Sequence, residues 1–401
     1  MKNILLITNI YPNNDPNYTG TAVCHSFAKE WQGMGYNVQI IHFDSLFPRC
    51  YYWIGKLFNR TIKAKTGCVA YSNTPRKIIR YKVDSVSVIF APLKKLIPHK
   101  SPSKIITQKV FDTVCKELEK DGFTPDVVTG HFLLPQLEML YRFKQKYPNI
   151  KTCMVLHGNG EQIPTTYPND YERYMQSVDI WGFRSLAFLR QFENLYGKQK
   201  KEFLCYSGVP EKYLISTDHN FINGIKRFVF VGGLLKLKNV DITLRALKIA
   251  MENKPYHFDI VGSGAERESL QKLIKELEME NFVTFHGQLS RDDAQKIIAM
   301  ADCFVMVSSR EAFGLVYVEA MAKGCITIAT KGQGIDGIII DGENGFLCPA
   351  KNVEALVDII NHIMGLSSFA LRSISEKAIT TANNLSDRKV AQNYINTIIT
   401  D

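Results

Sequence analysis

Two glutamates, Glu311 and Glu319, stand eight residues apart in the stretch DCFVMVSSREAFGLVYVEAMAKGCITIAT, residues 302–330. Around them, Cys303 to Val307 is short and apolar, Ser308 to Ala312 is a polar turn, Phe313 to Ala322 has a helical pattern, and Cys325 to Ala329 is again strand-like. That order predicts a parallel βαβ unit. With a helical rise of about 1.5 Å per residue, the two carboxylates lie roughly 10–12 Å apart, too far to share one proton or one metal ion. They suit the two ends of one long ligand. Ligands of parallel sheets sit at the carboxyl ends of strands, where helix N-termini offer unpaired N–H groups to anions. A nucleotide-sugar has that layout, with sugar hydroxyls at Glu311, ribose hydroxyls at Glu319, and the diphosphate against the amides of Phe313, Gly314 and Leu315. Gly314 would let the phosphates approach the backbone with no side chain in the way.

Glu311, seven intervening residues and Glu319, in the setting SSREAFGLVYVEAMAKG, resemble the E-x7-E signature of family four of the retaining, GT-B-fold glycosyltransferases. The resemblance extends over nearly the whole chain and is strongest from Arg227 to Leu347. It implies an α/β fold of two Rossmann-like, doubly wound domains facing across a cleft: residues 1–203 on the acceptor side and 204–384 on the nucleotide-sugar side. A final helix, about residues 385–401, would pack back on the first domain. The implied reaction moves a sugar from a UDP- or GDP-sugar to a hydroxyl of a glycan or lipid-linked acceptor, with surface polysaccharide as the product class.

Further matches assign further roles. The run Gly232-Gly233-Leu234-Leu235-Lys236-Leu237-Lys238-Asn239 stands where the family has G-R-L-x-x-x-K-G, whose Arg and Lys neutralise the donor diphosphate. Lys238 matches the lysine. Gly233 occupies the arginine's place, and Lys236 is a neighbouring alternative. Gly262, in Gly262-Ser263-Gly264, matches the family's V-G-x-G turn near the base, and Gly20, in YPNNDPNYTG, is the candidate loop glycine near the donor phosphates. Asp336 replaces a usual glutamate in KGQGIDGIIIDGENGFL. His131, after Asp126-Val-Val-Thr-Gly, falls where the family places a histidine beside the transferred sugar, and His157, in CMVLHG, reads as structural.

The opening strand and helix, Asn3 to Asn9 and Thr21 to Met34, are Rossmann-like but lack G-x-G-x-x-G, which disfavours a dinucleotide cofactor. No cofactor is expected. Asp292 and Asp293 read as helix-dipole partners rather than metal ligands, and no metal requirement is expected. The nine cysteines are scattered without a C-x-x-C pair, which suits a reducing, cytoplasmic setting.

Residues 1–110 hold sixteen Lys and Arg against four Asp and Glu, a net +12, so the other 291 residues sum to −2 of the total +10. Between Arg49 and Lys109 these bases interleave with aromatics such as Tyr51, Tyr52, Trp53 and Phe58, and no regular element is evident. Such a face suits an anionic membrane surface where a lipid-linked acceptor is presented, or a solvated loop region. Nucleic acid is disfavoured because no binding motif accompanies the charge. The competing functions are a nucleotide-sugar-binding scaffold without turnover, favoured by Gly233, and a sugar-nucleotide epimerase of the same fold.

Overall fold

The structure is a computed structural model that describes residues 2–13, 21–50, 52, 75–95, 101–217 and 219–400. The chain forms two compact units. The first comprises Met1–Phe183, Gln191–Cys205 and Ala391–Asp401, and the second Arg184–Arg190 and Tyr206–Val390.

Unit 1 is built on an eight-stranded sheet: β1 (Asn3–Thr8), β2 (Asn37–Leu46), β3 (Ile79–Val83), β4 (Val86–Lys94), β5 (Val127–His131), β6 (Lys151–Leu156), β7 (Ile180–Phe183) and β8 (Glu202–Leu204), in the order β3-β4-β2-β1-β5-β6-β7-β8. Every pairing is parallel except β3 with β4. β1 reads NILLIT and is buried from Ile4 to Thr8, as a central strand covered on both faces must be. Connections such as the helices Val23–Gly33 and Gln136–Lys146 supply the covering layers. The β3–β4 hairpin lies inside the stretch where the sequence suggested no regular element. β3 lies at the sheet edge and alternates Ile79, Tyr81 and Val83 with the exposed Arg80 and Lys82.

The end of the final helix, Asp387–Ile399, belongs to this unit from Ala391 onward. Tyr394 packs against Phe27, Trp31 and Phe203, and the Trp31 indole donates to the Ala391 carbonyl at 2.9 Å. Lys2 and Lys201 donate to the helix's last carbonyls, at Ile399 and Thr400, at 3.0 and 2.9 Å. Cations at a helix C-terminus satisfy acceptors that no backbone N–H can reach.

Unit 2 holds six parallel strands: β9 (Arg227–Val231), β10 (His257–Val261), β11 (Val283–Gly287), β12 (Cys303–Val305), β13 (Ile326–Thr330) and β14 (Phe346–Cys348), ordered β11-β10-β9-β12-β13-β14. The expected β12–helix–β13 unit is present, with the helix at Leu315–Ala322 rather than from Phe313. Gly314, at φ 80°, explains the later start, because a left-handed residue cannot lie inside a right-handed helix. The sheet order reverses between β9 and β12, which makes the carboxyl ends of these strands the unit's ligand crevice. Among the described residues, no single helix is long and apolar enough to cross a membrane, and the eight described cysteines are unbridged.

Candidate active site

A cavity of about 570 Å³ opens at that crevice, within the usual size of a ligand site. Its lining includes Gly232, Gly233, Lys238, Gly262, Glu311, Gly314, Leu315 and Glu319, so most of the residues singled out from the sequence of this unit meet in one place. Phe313 is buried beside them, at 4% exposure.

Glycine-rich turns form the cavity's floor. The Gly232 N–H donates to the Val261 carbonyl at 2.9 Å, the Gly262 N–H to the Gly287 carbonyl at 2.7 Å, and the Leu234 N–H to the Ser263 carbonyl at 2.9 Å. A Cβ on Gly262 would run into the Gly232 carbonyl, and Gly262 also stands at φ 138°. Close approach of two backbones therefore dictates glycine here. Gly233 is different: a Cβ there would meet nothing nearer than 3.9 Å. The missing arginine is a chemical difference and not a steric one.

The two cations lining the cavity are both taken. Lys238 Nζ donates to Glu311 Oε2 at 2.5 Å, with both side chains less than a fifth exposed. Arg291 places Nε 3.0 Å and Nη2 2.5 Å from Glu319 Oε1, while Gln295 donates to Oε2 of the same carboxylate. Two Lys and Arg against two Glu give the lining a formal charge of zero. Burial pushes the Glu319 carboxyl above its ordinary range, against the pull of Arg291 and the hydrogen bond from Gln295. Arg291 and Gln295 went unnoticed in the sequence because they lie on a different helix, Arg291–Ala299, whose first turn shows only ordinary surface residues.

Glu311 is fixed through its backbone. Its N–H donates to Gln333 Oε1 at 3.0 Å, and its carbonyl accepts from the Gly334 N–H at 3.0 Å. Asp336, in place of the family glutamate, turns back to accept from the Gly332 N–H at 2.5 Å and so closes its own loop. Lys236 pairs with Asp241 at 3.1 Å and is not among the cavity's lining residues. Asp292 accepts from Lys212, and Asp293 from Lys296, at 2.8 and 2.7 Å; no metal-holding group of three or more His, Cys, Asp or Glu occurs among the described residues. Gly20, and most of the aromatic and basic stretch from Tyr51 onward, fall outside the described residues.

His131 lies in unit 1, at the end of β5, and is fully buried. Its Nδ1 is 3.2 Å from His157 Nε2 and its Nε2 is 3.2 Å from the Tyr394 hydroxyl, which in turn bonds Thr129. Both ring nitrogens thus have protein partners, and the half-buried ring of the pair is His157, stacked on Phe132 at 3.7 Å.

Comparison with known proteins defines the class first. The lipopolysaccharide outer core galactosyltransferase WaaB superposes with a TM-score of 0.70 at 16% identity, covering 99% of each chain. HepE of Anabaena, solved in complex with UDP, superposes with a TM-score of 0.68 at 16% identity and 99% coverage of each. The fold is that of the GT-B glycosyltransferases. Residues 214–380 match the family described as Glycosyl transferases group 1. A curated relative, N-acetyl-alpha-D-glucosaminyl L-malate synthase of Bacillus anthracis, is 25% identical over 244 residues, 58% of this chain, and the chain spans 64% of that relative's length.

Proposed function

We propose that this protein is a retaining glycosyltransferase that moves a sugar from a UDP- or GDP-sugar to a hydroxyl of a glycan or lipid-linked acceptor in surface polysaccharide assembly. The observation that carries this reading is the cavity of unit 2, which brings Glu311, Glu319, Lys238 and the start of the Leu315–Ala322 helix around one space. It is supported by the family match and by a structural relative solved with UDP.

In this reading Glu319 takes the ribose, Lys238 and the first-turn amides take the diphosphate, and Glu311 holds the sugar. First-turn N–H groups have no acceptor within their own helix, so they are available to an anion. The acceptor oxygen bonds to the anomeric carbon as the bond from that carbon to the phosphate oxygen breaks. A donor phosphate oxygen receives the acceptor's proton, and the nucleoside diphosphate leaves. The chain contributes position and charge, not a nucleophile. His131 would donate to a hydroxyl of the transferred sugar or orient the acceptor. The basic first hundred residues would dock on the anionic cytoplasmic face of a membrane, where a lipid-linked acceptor is presented.

A second reading, a nucleotide-sugar-binding scaffold without turnover, draws on the neutral cavity and on Gly233. Both are tested by incubating the protein with UDP-, GDP- and ADP-sugars, with EDTA present, and following release of the nucleoside diphosphate. Slow release of one diphosphate is expected. Binding without release, with lipid-linked acceptors added, would favour the scaffold, and release only on adding a metal ion would overturn the expectation that none is needed.

A further inference from the structure

Glu319 is a carboxylate at 6% exposure, in the middle of a buried helix face between Val318 and Ala320, both fully buried. An acidic side chain in such a place tends to take up a proton, and a protonated carboxyl is a poorer acceptor for a diol. The structure shows what opposes this. Arg291 reaches Glu319 Oε1 through two nitrogens, and Gln295 occupies Oε2. Arg291 is itself held from beneath: its guanidinium lies 4.6 Å from the centre of the Tyr213 ring, and the Tyr213 hydroxyl donates to Asp292, the residue next to Arg291. Tyr213 is buried, at 7% exposure, so the ring is a fixed platform. A planar cation over an aromatic face loses little freedom when it also makes a two-point contact.

We infer that Arg291 is a positioning residue of the nucleotide site, which, seated on Tyr213, keeps Glu319 ionised and aimed so that the ligand's ribose meets a paired carboxylate rather than a lone one. This rests on the donor-site reading above. Arg291 is the cation in direct contact with Glu319. Lys323, one turn further along, adds a weaker pull from a distance, with its ammonium donating to the Ile215 carbonyl at 2.8 Å. β13, packed on the same helix, reads ITIAT and has no titratable side chain. On the helix Ser368–Asn383, Arg372, Glu376 and Lys377 are exposed. Lys238 is engaged by Glu311.

The test is calorimetric titration of UDP, GDP and ADP into the full chain between pH 5.5 and 8, for the wild type, Arg291→Gln, Arg291→Lys and Tyr213→Leu. For the nucleotide that binds, the wild-type Kd stays nearly flat across this range. Arg291→Gln weakens binding at least tenfold more at pH 5.5 than at pH 8, because each unit of upward shift in Glu319 costs up to tenfold in ionised site below its pKa. Arg291→Lys retains the charge and restores most of the flat profile, and Tyr213→Leu falls between. A loss equal at all pH values would mean that Arg291 touches the nucleotide directly, and an unchanged Kd would mean that it does nothing here; either overturns the inference while leaving the donor site standing. No binding by the wild type would overturn both.

Discussion

Replacing Gly233 by arginine should tighten the binding of a nucleoside diphosphate about tenfold. The backbone accepts a side chain at this position, since a Cβ would have no neighbour closer than 3.9 Å. The lining of the cavity is neutral as it stands, with Lys238 paired to Glu311 and Arg291 to Glu319. A diphosphate in this reading meets the helix amides and a Lys238 already shared with Glu311, so an added guanidinium supplies a charge the site lacks. At an effective dielectric of about 20, one unit charge about 5 Å from another gains about 3 kcal/mol. Immobilising a long side chain costs about 2 kcal/mol, and charge-assisted hydrogen bonds return part of it, leaving a net of about 1 to 1.5 kcal/mol. That is close to a factor of ten in Kd. Calorimetry with the diphosphate, the monophosphate and the free nucleoside separates the terms: the gain should appear in full with the diphosphate, shrink with the monophosphate and vanish with the nucleoside. A folded Gly233→Arg protein whose diphosphate affinity is unchanged or weaker would refute the placement of the phosphates over this turn.

The Lys238–Glu311 pair makes a separable prediction. Glu311→Gln releases Lys238 from an interaction worth about 1 kcal/mol, so diphosphate binding should tighten about fivefold while sugar transfer or donor hydrolysis falls at least a hundredfold. Titration and turnover on one preparation check it, and weakened binding would show that Glu311 itself serves the phosphates. In unit 1, His42 and Asp44 on β2 give opposite pH dependences of stability. Burial lowers His42 to about 4, so its neutral form is favoured in the fold and its contribution is lost as pH falls from about 6.5. Burial raises Asp44 to about 6, so its contribution grows as pH falls through that value. Each is worth about 3 kcal/mol between pH 7 and 4, and together they nearly cancel. His42→Asn should therefore gain stability on acidification relative to the wild type and Asp44→Asn should lose it, as read from urea midpoints at pH 7 and 5.

The sequence carries the fold of unit 2 clearly because its strands are short apolar runs ended by glycine, and that alternation with amphipathic helices has few other solutions. The turns after β10 and β12 were legible for the same reason: Gly262 and Gly314 are demanded by local geometry, which leaves a mark at fixed positions. Pairing was not legible. Nothing in the spacing says that Lys238 is held by Glu311, or that Arg291, 28 positions before Glu319, folds onto it. The same holds for His131, whose burial depends on Tyr394, 263 residues away. The β3–β4 hairpin escaped notice because an edge strand needs only one apolar face and this one spends its other positions on bases.

The cavity of unit 2 as a nucleoside diphosphate site is the claim on which the rest depends, and titration of UDP, GDP and ADP into the wild type and into Glu319→Ala tests it most directly. One diphosphate should bind the wild type, and the substitution should weaken it at least tenfold without changing the thermal midpoint by more than a few degrees. Equal affinity in the two proteins would remove Glu319 from the site. Absence of binding by all three nucleotides would contradict the account.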